Sequence, residues 1–151
     1  MLKRFAIITA TGFGSGYSPV APGSVGTLVG IPVFLLLSYL SPLFQVLRII
    51  ALGIIAVYTA GIAATAFSRE DPREVVIDEI VGFQVALFLI TPSFLHILAG
   101  YLLFRFFDIV KLFPANRCEK FPGGYGIVLD DIMAGIYSNI VLWLLIEFAG
   151  F

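Results

Sequence analysis

From Leu43 to Phe67 the chain carries no charge except Arg48, near the start of the run. A helix needs about 20 residues to cross the hydrocarbon core of a bilayer, so this stretch is long enough to span one. The remainder of the chain points the same way. Charged residues make up 13% of the sequence and hydrophobic ones 60%, with a mean hydropathy of +1.03, whereas a soluble domain carries about 25% charged residues. So few polar groups cannot cover a soluble domain of 151 residues, which leaves lipid as the solvent of the outer surface. In lipid the backbone must satisfy its own hydrogen bonds, and helices do so within one segment. The expectation is all-α: an integral membrane helical bundle forming a single membrane-embedded domain over residues 1–151, with about five helical segments.

Taken in order, Phe5 to Ala10 is apolar but too short to span, and suits the interface. The Met-Leu-Lys-Arg start resembles a signal peptide only faintly, because a Gly/Pro-rich stretch follows rather than a cleavage site. Residues 11–27, TGFGSGYSPVAPGSVGT, are dense in glycine and proline and read as a loop. Ser24 is placed to N-cap a helix over Val25–Leu40, with Pro32 expected to kink it. Ser41 and Pro42 turn the chain into the long apolar run, where Arg48 is expected to snorkel outward. The polar break SREDPRE follows at 68–74. Two further apolar stretches flank Thr91-Pro92-Ser93, and a hairpin turning at Pro92 is preferred to one long span. In a hairpin, Asp78 and Asp108 lie at similar distances from the turn and so at nearly the same depth. A last helix is expected from about Asp131 to Phe148. Every Lys and Arg except Arg48 then falls at one end of the bundle, and the positive-inside rule makes that end cytoplasmic.

The acids gather at that end. Asp78 and Glu79, Asp108, and Asp130 and Asp131 recur at the polar ends of three apolar segments. Ionised groups at such depth are costly and rarely kept without a partner. Structural salt bridges to Arg73, Arg105 and Lys111 are one account. The other is a hard divalent cation held by oxygen ligands, with Mg²⁺ the default where phosphate is also bound, and two ions remain possible. Neighbouring helical residues point about 100° apart, so which member of each pair is a ligand stays open.

Two further features suit a phosphate. The 23–27 stretch brings Gly23, Ser24, Gly26 and Thr27, with the free amides of a helix start, to the acidic end. Gly12, Gly14 and Gly16, ahead of it, are spaced GxGxG but lack the Lys-Ser/Thr of a P-loop. Arg105, Asp108 and Lys111 recur every three residues and share a helix face, which gives either a local salt-bridge ladder or a phosphate clamp. Arg117 and the FPGGYG segment, residues 121–126, are expected to close over the site. His96 reads as an interfacial residue on the opposite side. Cys118 lacks the Cys-x5-Arg spacing of cysteine phosphatases, which favours metal-activated water over covalent catalysis. The net charge of −1 offers no basic field for nucleic acid.

Three stretches together, ATGFGSGYSPVAPGSVGTL (10–28), VIDEIVG (76–82), and FRFFDIVK with GGYGIVLDDIMAG (104–111 and 123–135), resemble the phosphatidylglycerophosphatase A family. The resemblance covers the three polar regions in order, over nearly the whole chain. It implies an all-helical, Mg²⁺-dependent phosphatase of bacterial phospholipid synthesis that converts phosphatidylglycerophosphate to phosphatidylglycerol and phosphate at the inner membrane. Carried over by position, Asp78, Glu79, Asp108, Asp130 and Asp131 become the acidic ligands, with Arg105 and Lys111 beside them. Asp131 or Glu79 then serves as the base. The family's Lys-Pro-x-Pro-Ile-Arg pattern is altered here to Lys111-Leu-Phe-Pro-Ala-Asn-Arg117, with one residue inserted before the arginine. Two other readings stand beside this one. A metal-dependent phospholipid transferase of the CDP-alcohol type needs a DGxxAR stretch that this chain lacks. A small transporter needs acids spread through the membrane depth rather than collected at one end.

Overall fold

The computed structural model describes residues 1–118 and 120–150. Among these, helices are the only regular elements: α1 (Leu2–Ala10), a 3-10 turn (Ser15–Tyr17), α2 (Pro22–Leu37), α3 (Pro42–Phe67), α4 (Ile77–Ala86), α5 (Phe94–Val110), α6 (Ala115–Cys118) and α7 (Gly124–Ala149). The all-helical expectation holds, with seven α-helices where about five segments were expected. Two of them, α3 and α7, are each 26 residues long and apolar enough to cross a membrane. At 1.5 Å per residue each reaches roughly 39 Å, more than a hydrocarbon core of about 30 Å. Large apolar side chains such as Ile54, Tyr58, Ile140 and Leu144 point outward from them, as lipid-facing helices require.

Several boundaries differ from expectation. α2 begins at Pro22, so residues 22–27 are helical, because proline fits the first helical turn where its missing N–H costs nothing. Ser24 is therefore inside the helix, and the N-cap position belongs to Ala21, in a left-handed conformation with φ 46°. α7 likewise starts at Gly124 rather than near Asp131, so Asp130 and Asp131 sit in its second turn. Arg48 does not snorkel. It is 8% exposed, and its guanidinium has no hydrogen-bond partner among the described residues.

The chain does reverse around Pro92, between α4 and α5, but α4 is only ten residues long and cannot span. A short helix can end inside a membrane protein only if other groups take up its terminal carbonyls. Asn139 of α7 does this, donating from Nδ2 to the carbonyls of Ala86 (3.0 Å) and Phe88 (2.9 Å). Gln45 of α3 accepts from the Leu89 amide at 3.3 Å. Elsewhere on α4, the Gln84 amide donates to the Gly30 carbonyl of α2 at 2.9 Å, and the Val76 amide donates to the Ala10 carbonyl at 2.9 Å. The helix is pinned from four sides.

Its closest neighbour is α7. A Cβ on Gly82 would lie 2.6 Å from the Asp131 carbonyl oxygen, and one on Gly135 would collide with the Gly82 carbonyl. Only glycine lets the two backbones touch, the small-residue contact common between membrane helices. Asp78 lies one turn before Gly82 and Asp131 one turn before Gly135, on the same faces. The glycine crossing therefore sets those two carboxylates against each other.

Candidate active site

A cavity of about 250 Å³ lies where α4, α5, α7 and the first turn of α2 meet. Its wall holds all five acids singled out in the sequence, Asp78, Glu79, Asp108, Asp130 and Asp131, together with Arg105, Lys111 and Gly23. Ser24, Gly26, Thr27 and Arg117 are not among its lining residues. Thr27 is fully buried and donates its hydroxyl to the Gly23 carbonyl at 2.9 Å. Gly26 packs against Val76, whose side chain a Cβ would strike at 2.5 Å. Ser24 contributes a carbonyl to the Tyr101 hydroxyl at 3.4 Å. Arg117, expected to close over the site, instead stacks on the Phe113 ring, 5.0 Å from its centroid. Two further charged residues line the cavity, Asp71 and Arg73; Asp71 had been read only as part of a polar break, and Arg73 only as a salt-bridge partner for the acids. The mixed charges of SREDPRE, just ahead of Asp78, were the available signal.

The carboxylates fall into two groups. Asp108 and Asp130 each face a cation. Arg105 Nη1 stands 2.9 Å from Asp108 Oδ2, one helical turn away, and Lys111 Nζ donates to Asp130 Oδ2 at 2.8 Å. Lys111 thus leaves the expected α5 ladder to bridge to α7. Asp78, Glu79 and Asp131 each offer an oxygen within 4.8 Å of the other two. In each of the three, one buried oxygen (Asp78 Oδ1, Glu79 Oε2, Asp131 Oδ2) has no hydrogen-bond partner among the described residues. Buried carboxylate oxygens left unsatisfied beside like charges are expensive. A hard cation with oxygen ligands removes both costs, so these residues fit a divalent metal.

Asp78 and Glu79 open α4, outside the two long helices, and both titrate abnormally. Burial, reinforced by the charges of Glu79 and Asp131, pushes the Asp78 carboxyl well above the usual carboxylate range. Burial also lifts Glu79 to about 7, against the opposing pull of its hydrogen bond with Asp78 and of the Arg105 guanidinium. Perturbed groups of this kind, lining a cavity, mark functional sites. Arg105 completes the arrangement. It contacts Glu79 at 3.9 Å as well as Asp108, yet its buried Nε and Nη1 have no aligned hydrogen-bond acceptor. A guanidinium beside a metal-competent acid cluster can bind phosphoryl oxygens.

A helical bundle with two long apolar helices, and such a cavity at one end of them, fits a membrane hydrolase that works on a phosphorylated lipid. Comparison with known proteins agrees. The family model for phosphatidylglycerophosphatase A matches residues 8–146. A protein of Bacteroides thetaiotaomicron named putative phosphatidylinositol-3-phosphatase is 38% identical over 90% of both chains. Proteins named phosphatidylglycerophosphatase A are 35% identical in Escherichia coli, over 90% of this chain and 80% of that one, and 37% identical in Haemophilus influenzae, over 94% and 92%. No solved structure matches. This chain belongs to the phosphatidylglycerophosphatase A family. It is a lipid phosphatase, associated with a membrane.

Proposed function

We propose that the protein hydrolyses the terminal phosphomonoester of phosphatidylglycerophosphate, giving phosphatidylglycerol and inorganic phosphate, with Mg²⁺ as cofactor. The observation that carries this reading is the convergence of three buried carboxylates with unpartnered oxygens beside Arg105. The names of the Escherichia coli and Haemophilus influenzae relatives support the lipid. Asp78, Glu79 and Asp131 would hold the ion, with Asp108 and Asp130 at its flank. When bound, Mg²⁺ supplies positive charge for the phosphoryl oxygens and lowers the pKa of water.

The chain's own groups do the rest. Arg105 presents its guanidinium to the phosphoryl oxygens and balances the charge that builds on them in the transition state. Lys111, held by Asp130, adds a second positive group at the cavity wall. Glu79 stands next to Arg105 on the cavity wall, where a carboxylate can serve as base. It takes the proton of the attacking water, with Asp131 alongside. Gly23 keeps the α2 wall low, because a Cβ there would meet Glu79 Oε1 and the Arg105 guanidinium. The basic residues collected at this end support a site on the cytoplasmic face of a bacterial inner membrane, crossed more than once by the chain.

The experiment is phosphate release from a panel of lipid phosphomonoesters (phosphatidylglycerophosphate, phosphatidic acid and phosphatidylinositol 3-phosphate) with Mg²⁺ or with excess EDTA. Release chiefly from phosphatidylglycerophosphate, abolished by EDTA and restored by Mg²⁺, is expected. Full activity in EDTA refutes the metal role. A preference for the inositol lipid moves the substrate assignment to the class named by the Bacteroides relative.

A further inference from the structure

Beyond the acid-lined cavity the bundle contains a second, larger one, about 970 Å³, between the end of α3 and the start of α7. The two share Asp71, Ile127 and Asp130 as a common wall. A third cavity of about 550 Å³ adjoins the second, sharing Gly61, Thr65, Pro122 and Gly123 with it. The series changes character along its length. The middle cavity is rimmed by Arg69 and Lys120, and the outer one is walled by Val57, Tyr58, Ile62 and Tyr125. Tyr58 and Tyr125 are more than half exposed, and such aromatic side chains suit the level where headgroups meet acyl chains. α3 and α7 are the two membrane-length helices, so the outer cavity opens where lipid surrounds the protein.

This order matches the chemistry of one molecule. Phosphatidylglycerophosphate carries two phosphates: the monoester to be removed and, one glycerol further in, the diester that leads to the diacylglycerol. In the acid-lined cavity Lys111 and Arg105 serve the carboxylates and the monoester, and the remaining cation of its wall, Arg73, is turned to Glu74 at 3.8 Å. Lys120 makes no ion pair with a described residue, and Arg69 is held only by an exposed contact with Glu74 at 3.5 Å, a pairing weak enough to exchange for phosphate.

Taking the lipid phosphatase reading above as its basis, we propose that these three cavities form the seat of the whole lipid. The monoester lies among the acids, the diester between Arg69 and Lys120, and the acyl chains leave over Thr65 past Tyr58 and Tyr125 into the bilayer. Arg69 and Lys120 are then positioning residues that favour lipids with a second phosphate over phosphatidic acid, whose only phosphate is the monoester.

The test measures kcat and KM for phosphatidylglycerophosphate in mixed micelles with Mg²⁺, on full-length protein checked for an unchanged melting temperature. The Arg69→Gln/Lys120→Gln double variant should raise KM tenfold or more while kcat stays within threefold. Thr65→Trp, which fills the junction of the two outer cavities from an exposed position, should lower kcat/KM at least tenfold. Leu36→Trp, on the outward face of α2 and lining none of the cavities, should match wild type. A double variant with wild-type KM, or with kcat lost at constant KM, overturns the diester site. Thr65→Trp as active as Leu36→Trp overturns the acyl path, and if Thr65→Trp does not fold, the double variant alone decides. Should the wild type cleave phosphatidylinositol 3-phosphate instead, the substrate reading has failed, and the same ratios on that lipid, which also has a diester, judge the groove separately.

Discussion

Asp131→Asn should make the metal-free protein more stable while removing its response to Mg²⁺. Oxygens of Asp78, Glu79 and Asp131 lie within 4.8 Å of one another, and two full charges at that separation repel by about 3.5 kcal/mol at an effective dielectric of about 20. Partial protonation reduces this. The Glu79 carboxyl titrates at about 7 in the fold against an ordinary value of 4.5. Because its folded value is the higher one, its cost is absent below about pH 4.5, grows as the pH rises through 7 and levels off above, reaching ~3 kcal/mol. Wild type in EDTA should therefore lose stability between about pH 5 and pH 8. Removing the Asp131 charge should return ~2 kcal/mol at pH 8.5 and under ~1 kcal/mol at pH 6. For a chain of this size that is a rise of several degrees in melting temperature at the higher pH. The assay is thermal unfolding in detergent at the two pH values, with EDTA or Mg²⁺. Wild type should gain with Mg²⁺, most at pH 8.5, because the ion binds only the folded state; the variant should gain little. A variant that melts lower than wild type in EDTA at pH 8.5 yet still responds fully to Mg²⁺ would refute the shared-ion argument.

Gly23→Ala should cost at least tenfold in phosphate release with little change in melting temperature, since its Cβ meets the ends of Glu79 and Arg105 rather than a backbone. Gly124→Ala should do the opposite work: its Cβ runs into the Val57 carbonyl, forcing α3 and α7 apart and lowering stability by about 1–3 kcal/mol in thermal unfolding. Arg105→Ala should remove most of the turnover, whereas Arg117→Ala, stacked on Phe113 away from the cavity, should keep at least half of it in the same assay. Arg48→Met should raise the melting temperature in detergent, because it replaces a buried, unpartnered guanidinium with an apolar side chain of similar length; a marked fall would show a partner for Arg48.

The amino-acid sequence by itself determined the class of fold and picked out the five acids that line one cavity. Scarce charge and long apolar runs leave helices in lipid as the stable solution, and anionic side chains held in such a chain need a cation, so Asp78, Glu79, Asp108, Asp130 and Asp131 could be picked out by their place at the polar ends of apolar segments. The turn near Pro92 was legible too, although the arm before it is the ten-residue α4 rather than a span. Tertiary structure decided how the acids divide their partners. Asp78, Glu79 and Asp131 are left with bare oxygens while Asp108 and Asp130 take Arg105 and Lys111. That division depends on the Gly82–Gly135 crossing and on the angle at which α5 meets α7, which no local pattern encodes. The same limit explains the misplaced phosphate contacts. Ser24 and Thr27 were legible as polar residues near a helix start, but Pro22 began the helix earlier and the rotation of α2 turned Thr27 into the core. Arg48 was legible as a charge in an apolar helix. Whether it faced lipid or protein depended on which side of α3 its neighbours covered, and only the packed bundle fixes that.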